Sequence, residues 1–384
     1  MKNRIYLDHA ATTPLAGEVL EVMMPFFSEC WGNASAVYAT GREARRAVED
    51  ARKAVAASIG AQPQEICFTS GGSESDNMAI RGIARALKDK GKHIITTAIE
   101  HHAVLNPCKQ LQQEGYEVTF VSPDREGRID PEDIRKAIRQ NTILVSVMTA
   151  NNEIGTIEPV SKIGRICREN GIVFHTDAVQ AAGAIPVNVQ ETGCDLLSLS
   201  AHKFYGPKGV GALYIREGTR LNPLIAGGEQ ERGLRAGTEN VPGIAGLGKA
   251  IGMAGENLER NAKHMCRMRD RLTEGILSAV PGTVLNGPEE ERLPNNCSLC
   301  FEGIDGEALL LRLDLAGIAA SAGSACTAGS LEVSHVLEAI GLTEKEAKSS
   351  LRLTTGIHTT EEEIDETVKI IGEIVEDLRN MFKR

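Results

Sequence analysis

The chain has 384 residues, of which 42% are hydrophobic and 4% aromatic, enough for a large core and roughly two to three domains. Its 42 basic and 52 acidic residues give a net charge of −10, which disfavours nucleic acid or an anionic membrane surface as a partner. The sequence has no transmembrane run and no signal-peptide core, and its nine scattered cysteines are typical of reduced thiols, so we expect a cytoplasmic protein.

The predicted elements alternate between helices and strands along most of the chain. Helical spacing predicts helices over 18–27, 41–59, 70–88, 161–170, 241–279, 307–316 and 360–383. Short apolar runs predict strands at 64–69, 93–97, 118–121, 143–148, 172–177, 195–200, 213–215, 295–301 and 349–355. The alternation predicts an α/β fold with a parallel sheet, whose ligand lies at the carboxyl ends of the strands.

The strand at 64–69 is followed by a glycine turn and the start of a helix. This arrangement aims backbone N–H groups at an anion, and Gly72 and Ser73 are the residues that would hold it. Glycine and serine before a helix are also ordinary N-caps. The interpretation as an anion site is favoured because a second segment suited to phosphate occurs further along the chain.

Two polar residues follow the next predicted strands. His101 comes just after the strand at 93–97, where it would point into the ligand crevice, stack on a cofactor ring and move protons. A metal site lacks a third ligand at a recognisable spacing, and a simple histidine at a helix start is the other alternative. Asn152 lies in the turn after the strand at 143–148 and could bind substrate or a ring oxygen, although asparagine in turns needs no function.

Asp177 ends a buried apolar strand, where a carboxylate is costly unless it is paired. A protonated pyridine nitrogen, as in pyridoxal phosphate (PLP), is a partner that requires such a carboxylate. We expect a helix of small residues to begin at Ala178. That helix would place Gln180 one turn further on, within reach of the 3-hydroxyl of the ring.

Ser200, His202 and Lys203 lie at the end of the strand at 195–200, before a glycine-rich turn. A lysine amine forms a Schiff base with a carbonyl compound once it has lost its proton, and burial lowers its pKa. The Ser200 hydroxyl and the His202 imidazole are donors that suit a phosphate. The combination predicts a covalent bond between Lys203 and PLP, and a surface lysine in a turn is the alternative.

A cysteine and an arginine in the C-terminal part of the chain are also candidate functional residues. Residues 318–330 are nearly all small, which predicts a mobile, exposed loop around Cys326, and an exposed thiol is an oxidation hazard unless its reactivity is used. Arg352 lies between two leucines and suits bidentate binding of a carboxylate, with a surface salt bridge as the alternative. Cys297 and Cys300 face opposite sides of their strand, so we interpret them as packing residues.

Together these residues resemble the NifS/IscS-like cysteine desulfurases, PLP-dependent enzymes of fold type I in the class V aminotransferase family. The resemblance covers essentially the whole chain. Its most specific segments are 69–77 (Thr-Ser-Gly-Gly-Ser-Glu-Ser-Asp-Asn), 100–102 (Glu-His-His), 175–180 (His-Thr-Asp-Ala-Val-Gln), 200–203 (Ser-Ala-His-Lys), 235–238 (Arg-Ala-Gly-Thr) and 321–330 (Ser-Ala-Gly-Ser-Ala-Cys-Thr-Ala-Gly-Ser). Each segment alone is weak evidence for the resemblance, but the complete set in this order is specific to the family.

The resemblance implies a role for each candidate residue. Lys203 would form the covalent bond to PLP, Asp177 would pair with the pyridine nitrogen, and His101 would stack on the ring and move protons. Cys326 would be the thiolate that takes the sulfur. The residues implied to bind the phosphate are Gly72, Ser73, Ser200, His202 and, from the other subunit, Thr238. The residues implied to contact the ring substituents or the substrate are Asn152, Gln180, Arg352 and Asn33, of which Arg352 and Asn33 would hold the substrate carboxylate.

The implied architecture has a large PLP-binding domain at residues 15–255, around a mainly parallel seven-stranded sheet. A smaller α/β domain, formed by residues 1–14 and 256–384, would carry the cysteine loop and Arg352. The implied reaction converts L-cysteine to L-alanine and leaves a persulfide on Cys326. A homodimer is implied, with an iron–sulfur scaffold protein as the sulfur acceptor, and Cys326 is also a candidate ligand of an iron–sulfur cluster.

Three alternatives stay open from the sequence. A PLP-dependent aminotransferase or lyase of the same fold would not need Cys326. A selenocysteine lyase would share nearly all of these residues. A non-enzymatic carrier of sulfur or of an iron–sulfur cluster would leave Lys203, Asp177 and His101 without a role.

Overall fold

The computed structural model describes residues 4–322 and 333–382, which form a central sheet covered by helices and a second, smaller sheet. The strands are β1 (Ile5–Tyr6), β2 (Ile66–Thr69), β3 (His93–Thr97), β4 (Glu117–Val121), β5 (Thr142–Ser146), β6 (Val173–Asp177), β7 (Leu196–Ser200), β8 (Gly211–Ile215), β9 (Thr283–Leu285), β10 (Asn296–Phe301), β11 (Ile318–Ala319) and β12 (Ser350–Thr354). The helices are α1 (Gly17–Met23), α2 (Pro25–Ser28), α3 (Ala39–Ile59), α4 (Gly72–Ala86), α5 (His102–Gln113), α6 (Pro131–Ala137), α7 (Val160–Glu169), α8 (Val189–Thr192), α9 (Val241–Glu256), α10 (Leu258–Ala279), α11 (Gly306–Ala316), α12 (His335–Ala339), α13 (Glu344–Lys348) and α14 (Glu361–Phe382).

The central sheet has seven strands in the order β2-β8-β7-β6-β5-β3-β4, and the predicted seven-stranded, mainly parallel sheet is confirmed. Only the return strand β8 runs antiparallel to its neighbours β7 and β2. Strands β5 and β7 are buried along their whole length, which is why they read as continuous apolar runs. Strands β2, β3, β5, β6 and β7 therefore all end at one edge of the sheet.

The segment after β6 is not the helix that its small residues predicted. Residues 179–183 form turns instead. The Oδ1 atom of Asp177 accepts a hydrogen bond from the N–H of Val179 at 2.8 Å, and such a local bond competes with helix formation. Gly183 then takes a φ of +76°, which leads the chain away from helical geometry.

Two groups of buried apolar side chains join the sheets to the helices around them. The larger group joins the central sheet to helices such as α3, α7 and α9. The smaller group joins β10 and β12 to the apolar stripes of α10, α11 and α14, together with Ile5 and Leu7 from the N-terminal segment. Helix α12 packs Val336 and Leu337 against the larger group. The division into residues 15–255 and residues 1–14 with 256–384 stays a prediction.

The two cysteines of β10 are buried on opposite faces of the strand, as the strand spacing predicts. The Cys297 thiol contacts the Thr273 hydroxyl at 3.2 Å, and the Cys300 thiol contacts Asn286 Oδ1 at 3.4 Å.

Across residues 4–322 and 333–382, no helix combines the length and apolar character that a bilayer crossing requires.

Candidate active site

A cavity of about 350 Å³ opens at the carboxyl edge of the central sheet, a size typical of small-molecule sites. The N-terminal segment at Ala10 and Ala11 closes one side, and β12 of the smaller sheet contributes to another. The predicted site residues that line this cavity are Gly72, Ser73, His101, Asn152, Asp177, Gln180, Ser200, His202, Lys203 and Arg352.

One end of the cavity is built to hold an anion. Gly72 and Ser73 form the first turn of the 15-residue helix α4, whose N–H groups and positive dipole end favour negative charge. A Cβ on Gly72 would come within 2.8 Å of Val179 Cγ2, so only glycine fits at this position without a shift of Val179. The side chains of Ser200 and His202 line the same cavity from β7 and the turn after it.

His202 is held as a neutral imidazole next to the catalytic-lysine candidate. Burial, followed by the charges of Lys203 and Lys208, lowers the pKa of His202 to about 4. Its Nδ1 atom lies 3.1 Å from the hydroxyl of Thr12, which fixes the ring against the N-terminal segment. A neutral histidine in this position offers an N–H or a lone pair to a bound phosphate without adding a charge.

Lys203 extends from a short 3-10 turn, Ala201–Lys203, that follows β7 directly. Its ammonium donates hydrogen bonds to the backbone carbonyls of Ala10 and Ala11, the latter at 2.9 Å. The amine is therefore held at the cavity wall by the N-terminal segment. The alternative of a surface lysine is wrong, because Lys203 is half-buried and lines the cavity.

Asp177 places a buried carboxyl group in the same cavity. Burial raises the pKa of Asp177 to about 6, while the N–H of Val179 and the charge of Lys203 oppose that rise. A second carboxyl, that of Asp76 on α4, is buried beside it, and burial and the charge of Asp177 raise its pKa well above the usual value. Asp76 was not predicted; an acidic residue on the apolar face of a helix is the signal that could have identified it.

His101 caps the N-terminus of α5, and its Nδ1 atom accepts a hydrogen bond from the N–H of Ala103 at 3.1 Å. Burial is the main cause that lowers the pKa of His101 to about 4, followed by the charges of Lys203, His102 and His335. His102, part of the Glu-His-His segment, also lines the cavity, as does His335, which the sequence reasoning missed; their ring centroids are 4.8 Å apart.

Arg352 is a buried arginine in the middle of β12, with only 2% of its surface exposed. Its guanidinium donates to the carbonyl oxygen of Asn152 at 2.9 Å and to the carboxylate of Asp8 at 3.0 Å. The Nε atom is buried and has no hydrogen-bond partner within residues 4–322 and 333–382. The alternative of a surface salt bridge is wrong, and the guanidinium keeps an N–H for a further acceptor.

The remaining predicted residues divide between the cavity and the surface. Gln180 reaches the cavity from a turn and donates to the carbonyl of Ala10 at 3.0 Å. Asn33 and Thr238 are exposed and do not line the cavity of their own chain. Cys326, predicted as the sulfur acceptor and as a candidate cluster ligand, lies outside the described residues.

The donor set suits a cofactor that carries a phosphate, a carbonyl and a pyridine nitrogen. Helix N–H groups and the Ser200 hydroxyl match the phosphate, and the Lys203 amine matches the carbonyl. The buried Asp177 carboxylate matches a protonated ring nitrogen, because a buried charge needs an opposite partner. These residues therefore fit PLP by their chemistry, independently of any relative.

Comparison with known proteins agrees with this chemistry. The family model for Aminotransferase class-V matches residues 5–367. The chain is 54% identical to the protein named cysteine desulfurase IscS of Dictyoglomus turgidum, over 99% of this chain and 97% of that protein, and 53% identical to the one of Methanosarcina thermophila, over 98% and 93%.

Solved structures are similar in fold over nearly the whole chain. A structure described as a NifS-like protein superposes with a TM-score of 0.92 at 41% identity, covering 98% of this chain and all of that one. A structure described as SspA in complex with cysteine gives a TM-score of 0.83 at 38% identity, covering 93% of this chain and all of that one.

The chain belongs to the class-V aminotransferase family and has the PLP-dependent fold type I. Its group within that family is the cysteine desulfurases, so it is a PLP-dependent enzyme.

Proposed function

We propose that this desulfurase converts L-cysteine to L-alanine and that the thiolate of Cys326 receives the sulfur as a persulfide. The observation that carries the proposal is the meeting of Lys203, Asp177 and Arg352 in one cavity. An aminotransferase of the same fold would use the same lysine and aspartate. The cysteine in the small-residue segment and the desulfurase relatives favour sulfur transfer over transamination.

Bound PLP would supply an electron sink that makes the bonds around the substrate Cα and Cβ labile. Lys203 would hold the cofactor covalently and, when displaced by the substrate amine, act as the base at Cα. Asp177 would keep the proton on the pyridine nitrogen. Gly72, Ser73, Ser200 and His202 would bind the phosphate, and His101 would lie against the ring.

Arg352 would bind the substrate carboxylate. Its Nη1 and Nη2 atoms each use one N–H on Asn152 and Asp8, so the guanidinium keeps further N–H groups that a carboxylate could use without breaking either bond. Asn152 and Gln180 would contact the ring substituents and the substrate, and Asn33 would assist with the carboxylate. A charged carboxylate here would also offset the desolvation of the arginine.

The test of the function is direct. Purified protein with PLP is expected to release alanine from L-cysteine and, when a thiol reductant reduces the persulfide and is itself oxidised to a disulfide, to release an equal amount of sulfide. A comparison with L-selenocysteine separates a selenocysteine lyase, which would release alanine only from the selenium compound. Absence of alanine from both substrates, with PLP bound, would rule the proposal out.

The pH dependence of PLP affinity provides a second prediction. Because the pKa of Asp177 is about 6, the carboxylate that pairs with the ring nitrogen is ionised above that pH and neutral below it. Affinity for PLP is therefore expected to fall as the pH drops below about 6, by up to roughly tenfold per pH unit. Titration of the apo-protein with PLP, followed by fluorescence, measures this. The Asp177→Asn variant should bind PLP weakly at every pH, with no change in affinity near pH 6. A wild-type affinity for PLP that stays constant from about pH 7 to 5 would contradict the assignment.

A homodimer completes the proposed site. Thr238 and Asn33, both implied to act on a cofactor or substrate, are exposed on their own chain and do not line its cavity. Beside Asn33, the side chains of Trp31 and Val37 are 70% and 87% exposed, unusual for large apolar groups unless another surface covers them. We propose that these segments meet the partner subunit, with Thr238 completing its phosphate site.

The proposed sulfur acceptor is an iron–sulfur scaffold protein, with Cys326 as the donor and as a candidate cluster ligand. The proposed compartment is the cytoplasm, which the eight described cysteines support because all are free thiols. The net charge of −10 supports a protein partner over nucleic acid or a membrane surface.

A further inference from the structure

The turn that carries Lys203 contains a strained backbone conformation. Tyr205, two residues after Lys203, has a φ of +65°, a left-handed value that a bulky side chain rarely adopts. Such a conformation persists only where surrounding contacts hold it in place. The N–H groups of Phe204 and Gly206 donate to the carbonyl of Ala201 at 3.1 and 2.9 Å, which closes the turn around Lys203. The N–H of Tyr205 has a different partner, in the N-terminal segment.

That partner is Thr13, a buried threonine with 2% of its surface exposed. Its hydroxyl accepts the N–H of Tyr205 at 2.8 Å and donates to the carbonyl of His202 at 2.9 Å. One hydroxyl therefore joins the residue before Lys203 to the residue two positions after it. The His202 carbonyl also accepts the backbone N–H of Thr13 at 2.9 Å. Within residues 4–322 and 333–382, the Tyr205 N–H has the Thr13 hydroxyl as its only acceptor.

The same N-terminal segment holds the amine of Lys203. The carbonyls of Ala10 and Ala11 accept hydrogen bonds from the Nζ atom, the latter at 2.9 Å. Thr13 follows Ala11 by two residues and does not itself line the cofactor cavity. Lys203 is therefore fixed at both ends, its amine by the two carbonyls and the backbone around it by the Thr13 hydroxyl.

We propose that Thr13 is the positioning residue of Lys203, and that its hydroxyl holds the turn after β7 in the strained conformation from which the amine reaches the cavity. The inference rests on the proposed attachment of PLP to Lys203. Attachment joins the amine nitrogen to the aldehyde carbon of PLP and expels the aldehyde oxygen as water, after the ammonium has given a proton to solvent. Thr13 contacts none of these groups, so it acts only through the position of the amine.

The substitution Thr13→Val tests the hydroxyl, because valine has a similar shape and cannot accept a hydrogen bond. After PLP is mixed with apo-protein, the absorbance band of the lysine-bound cofactor should appear about ten- to a hundredfold more slowly than in wild type, the effect of a displacement of about 1 Å. Thr13→Ser keeps the hydroxyl and should attach PLP at the wild-type rate. Attachment by Thr13→Val at the wild-type rate, or by Thr13→Ser as slowly as by Thr13→Val, would overturn the inference.

A cofactor analogue separates the position of the lysine from general damage to the cavity. Pyridoxine 5′-phosphate carries an alcohol in place of the aldehyde, so it can bind but cannot become attached to Lys203. Its affinity, measured by fluorescence, should be the same in wild type and in Thr13→Val, because the His202 carbonyl keeps its bond to the Thr13 N–H. A loss of affinity as large as the loss of attachment rate would show that the whole cavity had changed, and the inference would be wrong.

The substitution Thr359→Val is the matched control. Thr359 is also a buried threonine, and its hydroxyl accepts the N–H of Gly356 at 2.8 Å. It does not line the cofactor cavity, so the variant loses the same kind of bond at a distance from Lys203. It should attach PLP at the wild-type rate. Attachment as slow as that of Thr13→Val would show a general effect of lost stability and would count against the positioning role.

Hydrogen exchange of the wild-type apo-protein tests the inference without any variant. The amide hydrogen of Tyr205 should exchange with deuterium as slowly as that of Gly206, because both have an acceptor within the fold. Fast exchange at Tyr205 beside slow exchange at Gly206 would overturn the inference.

Failure of this inference is distinguishable from failure of the proposed function. If Lys203→Ala kept the absorbance band, the assignment of the lysine would be wrong. If Lys203→Ala lost the band and Thr13→Val attached PLP at the wild-type rate, only the role of Thr13 would be wrong. The release of alanine from L-cysteine tests the desulfurase reaction separately.

Discussion

Replacing Lys203 with alanine is expected to remove both the covalent attachment of PLP and the reaction. Lys203 is the lysine that the N-terminal segment holds at the cavity wall, through the carbonyls of Ala10 and Ala11. Without the amine, the visible absorbance band of the lysine-bound cofactor should be lost. Alanine formation should fall by at least about 10²–10⁴-fold, the contribution of a positioned base alone.

The control for this variant is Lys208→Ala. Lys208 is exposed and lies five residues further along the chain, outside the lining of the cavity. It should keep the absorbance band and the rate of alanine formation. If the band instead persisted in Lys203→Ala, another lysine would hold the cofactor and the assignment of the site would be wrong.

Replacing Cys326 with alanine is expected to abolish sulfur removal and to leave the cofactor in place. The residues proposed to bind PLP lie in β6, α4 and the turn after β7, none of which contains this cysteine. The PLP absorbance should therefore match that of the wild type, while alanine and sulfide formation from L-cysteine fall to the level of a protein-free blank. Mass spectrometry should find persulfide sulfur on the wild-type protein and none on the variant.

Cys266→Ala is the matched control for the thiol, because Cys266 is partly exposed and lies on α10, outside the PLP cavity. It should retain full activity and persulfide formation. Undiminished alanine release by Cys326→Ala would show that the sulfur leaves by another route and would exclude the proposed role of this cysteine.

The strands of the large sheet were predictable because each is buried on both faces. A strand such as β7 reads as a short apolar run that ends abruptly at polar residues, and the end of the run coincides with the edge where the ligand lies. For the same reason, Asp177, Lys203 and His101 could be proposed from the sequence. Each is the last residue of a buried strand or lies within four residues of its end.

The partners of these residues could not be predicted, because they come from distant parts of the chain. Asp8 lies 344 positions from Arg352, yet the two form an ion pair in the cavity wall. His335 lies against His102 only because α12 packs against the larger apolar core. Asp76 resembles any acidic residue of a helix until the packing of α4 buries it against the sheet.

The sequence by itself determined the order of the strands and helices, the family and the residues that can carry PLP chemistry. These depend on local patterns: apolar runs, glycine turns and the polar groups that end each strand. Only the tertiary structure decided that the Arg352 guanidinium keeps a buried N–H and that Asp76 lies beside Asp177. The state of a buried polar group depends on every atom that surrounds it, and for Arg352 and Asp76 those atoms come from segments far apart in the chain.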